Sequence, residues 1–186
     1  MLQDFNRYLL KEELCSPEDR ILLAVSGGID SVVMAHLFKE AGFACSIAHC
    51  NFQLRGEESN MDEAFVRSLA RSLEFPVFVR RFHVKEEMST RGISVQMAAR
   101  DLRYDWFEQL RTEHDLDRVA TAHNLNDAVE TFFLNLSRGS GIRGLKGILP
   151  RRGPVIRPLL FASRDQIEGY QQQHNLPYRE DASNLD

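Results

Sequence analysis

Residues 26–31 read Ser-Gly-Gly-Ile-Asp-Ser, directly after the apolar run Ile21-Leu22-Leu23-Ala24-Val25 and directly before Val32, Val33, Ala35, Leu37 and Phe38 at helical spacing. That order spells a strand, a glycine turn and a helix N-terminus. Paired glycines let a backbone turn sharply and approach a ligand closely, and the unpaired N–H groups and positive end of the helix attract phosphate oxygens. Ser26, Gly27, Gly28, Ile29, Asp30 and Ser31 are therefore the candidate phosphate loop: N–H groups and two hydroxyls for pyrophosphate, and Asp30 to orient a divalent metal. The loop has neither the Gly-x-x-x-x-Gly-Lys spacing that puts a lysine on terminal phosphates nor a Gly-x-Gly-x-x-Gly dinucleotide fingerprint. Ordinary kinase and dehydrogenase chemistry is disfavoured.

A second set of polar residues follows Ala-Thr-Ala: His123, then Asp127 and Glu130 at i, i+3 on one helix face. With Asp30 they can surround a nucleotide and its Mg²⁺, Asp127 serving as a further metal ligand, while a histidine or arginine at the α-phosphate stabilises charge in a displacement there. Arg100 and Arg103, also at i, i+3, are a guanidinium pair suited to phosphate. They equally fit surface ion pairs with Asp101, Asp105 or Glu108. The stretch from His49 through Asn51 and Arg55 to Gly56 mixes aromatic, amide and arginine groups and reads as a recognition loop.

These residues need a scaffold that brings them together. Strand-like runs at Ile21–Val25, Ala44–Ala48, Pro76–Phe82 and Arg118–Ala122 alternate with helical patterns, which predicts an α/β fold of parallel βαβ units. In such sheets ligands sit beyond the carboxyl ends of strands, where the polar sets above fall. A leading helix is expected over Met1–Leu14, and the helix after the loop should stop near Gly42. Others are expected from about Ser59 to Leu73 and from an N-cap at Ser94 through Leu110. A further helix should begin near Asn126, burying Val129, Phe132, Phe133 and Leu136. Val155–Leu160 reads as a last extended segment, and Ser163 with Gln166 as the capping box of a last helix.

The chain has 186 residues, 43% hydrophobic and 27% charged, enough for one domain with a sizeable core. It has no apolar run of membrane-spanning length and no signal-like N-terminus, so a cytoplasmic location is expected. Cys15, Cys45 and Cys50 form no Cys-x-x-Cys pair, which suits reduced thiols, the latter two buried. The net charge of −4 hides segregation: between Glu130 and Asp165 there is no acidic residue, only Arg138, Arg143, Lys146, Arg151, Arg152, Arg157 and Arg164 among glycines. Such a segment attracts a polyanion, or is simply a solvated loop.

The hexapeptide Ser26–Ser31 resembles the PP-loop ATP pyrophosphatases. Further segments narrow the resemblance: His49-x-Asn51-x-x-Leu54-Arg55-Gly56, Ala98-Ala99-Arg100-x-x-Arg103-Tyr104, Ala122-His123-Asn124-x-Asn126-Asp127-x-x-Glu130-Thr131, Arg138-Gly139-Ser140-Gly141, Gly144-Leu145 and Arg157-Pro158-Leu159-Leu160. Together they are similar to the tRNA(Ile)-lysidine synthetase family over nearly the whole chain. The resemblance implies a Rossmann-like, parallel-sheet, three-layer sandwich of the adenine nucleotide α-hydrolase type. It also implies ATP-dependent ligation of L-lysine to C2 of the wobble cytidine in a CAU-anticodon tRNA(Ile). In the implied mechanism the cytidine O2 attacks the α-phosphate, pyrophosphate leaves, and the lysine ε-amine displaces AMP.

On that basis Ser26–Ser31 hold pyrophosphate, Asp30 and Asp127 the Mg²⁺, and Arg103 and His123 the α-phosphate region. Glu130 and Arg100 contact lysine or nucleotide, His49, Asn51 and Arg55 substrate, and Arg138, Arg143 and Arg157 tRNA phosphate. Family members carry further helical and C-terminal domains, which are expected to be absent from this chain, and a homodimer is admissible. The fragment is expected to bind ATP but to modify tRNA poorly. A tRNA thiolase, an amidotransferase-type synthetase and a nonenzymatic nucleotide- or RNA-binding module are the alternatives; cluster-dependent thiolation needs paired cysteines.

Overall fold

The computed structural model describes residues 1–84, 87–88, 92–139 and 147–180. Helix α1 (Leu2–Lys11) leads into β1 (Arg20–Ala24), α2 (Ile29–Glu40), β2 (Ala44–Asn51), α3 (Glu57–Leu73) and β3 (Val77–Arg81). Then follow α4 (Val95–Glu113), β4 (Arg118–Ala120), α5 (Leu125–Ser137), β5 (Arg151–Arg152), β6 (Val155–Ile156) and α6 (Arg164–Gln173). The sheet has six strands in the order β3-β2-β1-β4-β6-β5, parallel throughout except for the β5–β6 hairpin. The chain winds outward from β1 through β2 to β3, then returns to place β4 on the other side of β1. That reversal makes the carboxyl ends of β1 and β4 the topological switch point.

Strand alternation sends side chains to opposite faces, and the core divides accordingly. Ile21, Leu23 and Ile47 pack with Phe5 and Leu9 of α1, the buried residues of α2, Val66 and Leu69 of α3, and Ile167 of α6. On the other face Leu22, Ala48 and Val119 meet Trp106, Phe107 and Leu110 of α4. The result is the expected three-layer sandwich. Helix α2 lies deepest, its Phe38 edge-on to both Phe5 and Phe43 at 5.1 and 5.4 Å between centroids. Such pairs contribute about 0.5–1.5 kcal/mol each beyond area burial.

Most expected elements appear within a few residues. Ser94 caps α4 by accepting from the Met97 N–H, and Ser163 with Gln166 forms the reciprocal capping box of α6. Gly42, with φ +79°, follows the end of α2. Three expectations fail. Strand β2 does not stop at Ala48 but runs through His49 and Cys50 to Asn51, because its backbone continues to pair with β3 as far as Arg81. The extended stretch predicted over Val155–Leu160 is only β6, joined in a hairpin to β5, which its two exposed arginines concealed. Helix α5 exists, but it buries none of its residues: Val129, Phe132, Phe133 and Leu136 are 39–60% exposed, because no described element packs over that face.

Candidate active site

The phosphate loop is shaped by one unusual residue. Gly27 takes φ +106°, a conformation L side chains rarely adopt, which turns the chain from β1 into Gly28, the N-cap of α2. The hydroxyls predicted to meet phosphate are engaged within the loop. Ser31 Oγ accepts from the Gly27 N–H at 3.2 Å and donates to the Gly28 carbonyl at 2.8 Å, while Ser26 Oγ accepts from the Gly28 N–H at 3.3 Å. These bonds hold the loop open at the start of α2, where the helix dipole is positive.

Two adjoining cavities flank this point. The first, about 710 Å³, runs from Ser26 and Ser31 across the ends of β1 and β2 to Phe52, Arg103 and Tyr104. The second, about 630 Å³, is lined by Arg100, Glu130, Thr131, Leu149, Arg152 and Arg157, among others. His123 and Asp127 line both. A nucleotide in the first cavity and a second substrate in the other would meet at these two residues.

Asp30 and Asp127 converge on Asn124. The Asn124 side-chain NH₂ donates to Asp30 Oδ1 at 3.2 Å, its Oδ1 accepts from the Asp127 N–H at 3.1 Å, and the Asp127 carboxylate accepts from the Asn124 N–H at 2.9 Å. The last two bonds form a capping box at the start of α5, so one fully buried asparagine both ends the β4 turn and sets the spacing of two carboxylates. Burial, together with the charge of Asp127, pushes the Asp30 carboxyl above its usual range. Two neighbouring carboxylates held this way, neither in a salt bridge among the described residues, fit a hard cation that takes its remaining ligands from phosphate.

His123 Nδ1 lies 3.0 Å from Thr121 Oγ1. Burial, followed by the positive field of Arg157, pushes its pKa down, so the ring is neutral at neutral pH and acts as a hydrogen-bonding group, not as a fixed cation. The fixed charge near it comes from arginines. Arg103 stacks over Phe52 at 5.3 Å and lines the first cavity, whereas Arg100 stacks over Tyr104 at 5.2 Å and lines the second. The expected guanidinium pair is therefore divided between two cavities.

Other predicted contacts are placed differently. His49 and Asn51 are strand residues, 4% and 2% exposed. His49 Nδ1 bonds the Val25 carbonyl at 2.9 Å, and Asn51 Nδ2 donates to Ser59 O and to Glu63 at 3.0 Å. Both line the floor of the first cavity and brace it. Burial raises the Glu63 carboxyl, but hydrogen bonds from Arg81, Asn51 and Arg67 outweigh it and bring the pKa down to about 2. Arg55 lies at the rim and its Nη2 meets Asp62 at 3.0 Å. Asp62 is shared with Arg179 Nε at 2.8 Å, and the Arg179 N–H donates to the Gly27 carbonyl at 3.0 Å, a tie between the tail and the phosphate loop that nothing in the residue spacing announced. Arg138 is exposed at the end of α5; Arg143 and Lys146 lie outside the described residues. Arg157, expected on a tRNA-facing surface, is instead 8% exposed inside the second cavity, because it directly follows β6, which pairs with β4 and draws the chain inward.

Curated relatives are alike over nearly the whole chain. The tRNA(Ile)-lysidine synthase of Bacteroides thetaiotaomicron is 46% identical over 180 residues, 97% of this chain and 42% of its own length. That of Porphyromonas gingivalis is 47% identical over 167 residues, 89% and 37%, and that of Chlorobaculum tepidum 42% identical over 178 residues, 94% and 54%. The chain thus spans about half or less of these relatives. Among solved structures, a U34-tRNA thiolase from Methanococcus maripaludis with its 4Fe-4S cluster superposes with a TM-score of 0.76 at 18% identity, covering 96% of this chain and 66% of that one. An NH3-dependent NAD synthetase from Campylobacter jejuni gives 0.63 at 16% identity, covering 95% and 74%. Both likenesses are of fold. The family model described as a PP-loop domain matches residues 1–186, the glycine turn, the switch-point cleft and the acidic pair at Asn124 all lie within that match, and the chain belongs to the PP-loop domain family.

Proposed function

We propose that the chain is the ATP-using catalytic part of a tRNA(Ile)-lysidine synthetase, joining L-lysine to C2 of the wobble cytidine of a CAU-anticodon tRNA(Ile) in the cytoplasm. The observation that carries the reading is the pair of cavities meeting at His123 and Asp127, since the reaction needs a nucleotide site and an amino-acid site open to one reacting base. The names and identities of the curated relatives support it. ATP takes the first cavity, its β- and γ-phosphates at the loop of residues 26–31 and the N–H groups that open α2, and its α-phosphate toward Arg103 and His123. Asp30 and Asp127 would hold Mg²⁺, which when bound offsets charge on the leaving pyrophosphate.

The cytidine O2 then attacks the α-phosphorus, the bond to pyrophosphate breaks, and the base carries AMP on O2. Arg103 and the neutral His123 hold the phosphoryl oxygens as their charge rises. In the second step the lysine ε-amine attacks C2 and the C2–O2 bond breaks, releasing AMP. Glu130 and Arg100 face the amino acid in the second cavity, and the exposed Arg138 and Arg151 face tRNA phosphate. Thiolation fits this chain less well: burial pushes Cys45 and Cys50 up to about 12 and Cys15 to about 11, leaving no ready thiolate.

The test is pyrophosphate release from ATP with Mg²⁺ and CAU-anticodon tRNA, with and without L-lysine, for the chain and its Asp30→Ala variant. Release that requires tRNA and is lost in the variant is expected. ATP binding with no tRNA-dependent release, both by this chain and by one extended to the length of its curated relatives, would overturn the reading.

A further inference from the structure

Arg157 is a buried charge that no carboxylate contacts among the described residues. It is more than nine-tenths buried, yet among the described residues it has no salt bridge. Its side chain makes one hydrogen bond, from Nη1 to the Leu149 carbonyl at 2.7 Å, and Nε has no partner. The main chain around it is fixed, its N–H donating to Pro150 O at 2.8 Å and its carbonyl accepting from Leu160 at 3.4 Å. A buried guanidinium left this way is expensive unless an anion completes it. The side chain lines the second cavity, so the missing anion enters there.

The remaining charges of the cavity restrict what that anion is. Among the described residues, the titratable groups on its wall are Arg100, His123, Asp127, Glu130, Arg152 and Arg157. Arg100 and Arg152 are exposed and reachable by bulky phosphodiesters; Arg157 is not. The phosphates of ATP belong to the loop at residues 26–31, and Arg157 does not line that cavity. What remains is a small anion that enters together with positive charge, because Glu130 and Asp127 stand on the same wall as the guanidinium.

We infer that Arg157 binds the α-carboxylate of the amino-acid substrate, with Glu130 taking its α-ammonium group, so that the side-chain amine points toward His123 and Asp127. This rests on the amino-acid ligase reading above and adds a specificity element to it: the enzyme selects an amino acid over a plain diamine. A buried guanidinium held by the Leu149 carbonyl has its planar fork restricted in orientation, which suits two-point binding of a carboxylate. The long amine arm of lysine reaches the shared wall only when the carboxylate end is anchored, so the contact also sets the distance of the nucleophile from the reacting carbon.

The test compares L-lysine with cadaverine, which keeps both amines and lacks only the carboxylate. Binding to the chain with ATP and Mg²⁺ present is measured by calorimetry for wild type, Arg157→Gln and Arg157→Lys, with a thermal melt of each as a check of folding. Wild type is expected to prefer lysine on the order of 10–100-fold, the range for a charge-assisted contact. Arg157→Gln should abolish the preference by weakening lysine and leaving cadaverine unchanged, and Arg157→Lys should restore part of it. A structural role alone would move both ligands together. Equal binding of lysine and cadaverine by wild type, or a preference that survives in Arg157→Gln, overturns the inference while leaving the ligase reading intact. No binding of either compound by wild type overturns both.

Discussion

Adjacent glycines in the phosphate loop should respond to the same substitution in opposite ways. At Gly27, φ is +106°, and a Cβ would stand 3.4 Å from Phe65 Cδ1 and 3.6 Å from Val66 Cγ2, ordinary contacts. The cost of Gly27→Ala therefore comes from the backbone, about 1–3 kcal/mol for a side chain forced into that region. At roughly 2–4 °C per kcal/mol for a chain of this size, Tm should fall by about 4–8 °C for a 2 kcal/mol loss. Gly28 has φ −69° and ψ 161°, extended backbone open to any residue, and its Cβ would meet only Ser26 Oγ at 3.5 Å. Alanine there restricts the unfolded chain, a gain of about 0.4–1 kcal/mol, against a few tenths lost at the N-cap. Tm of Gly28→Ala should thus stay within about 2 °C of wild type. On the proposed placement of the ATP phosphates at the start of α2, however, the added methyl crowds the approach of the anion to the loop, and ATP affinity should drop about tenfold or more. Differential scanning calorimetry and ATP titration on both variants separate the effects. Equal Tm losses in the two variants, or full ATP affinity in Gly28→Ala, would refute the reasoning.

Two other substitutions probe the carboxylates around the cleft. Asn124→Ala removes the cap of α5 and the bond to Asp30, so it should cost about 1–2 kcal/mol of stability and raise the Mg²⁺ concentration needed for pyrophosphate release; an unchanged Mg²⁺ requirement would show that Asn124 is only a cap. The Glu63 carboxyl, normally near 4.5, is held at about 2 in the folded chain, so its contribution is complete above the unfolded value and disappears as pH falls toward 2. Glu63→Gln should lose about 1.5–3 kcal/mol in urea unfolding at pH 7, with the gap to wild type narrowing at pH 3. A gap that does not change with pH would locate the effect in packing and not in charge.

What the residue order revealed was chemistry compressed into neighbouring positions. The loop at Ser26–Ser31, the capping box at Ser163 and the polar set after β4 are each contained in a few residues, and their physics is local. What it concealed was partnership at a distance. Strand β2 was expected to end where its apolar run ends, because nothing in His49-Cys50-Asn51 shows that Glu63, twelve residues on, supplies an acceptor for a buried amide. Apolar spacing on α5 shows that a stripe favours cover, not which surface provides it, and Phe133 is 60% exposed. Arg157 looked like its basic neighbours until β6 carried it inside.

The bond from the Arg179 N–H to the Gly27 carbonyl makes the tail and the nucleotide loop answer to one another. If an anion that fixes the loop also strengthens this contact, it tightens the tail against α3, and displacement of the tail weakens the anion by the same amount. Susceptibility of the tail around residues 177–180 to a protease is therefore a readout of loop occupancy, taken about 150 residues downstream of the loop.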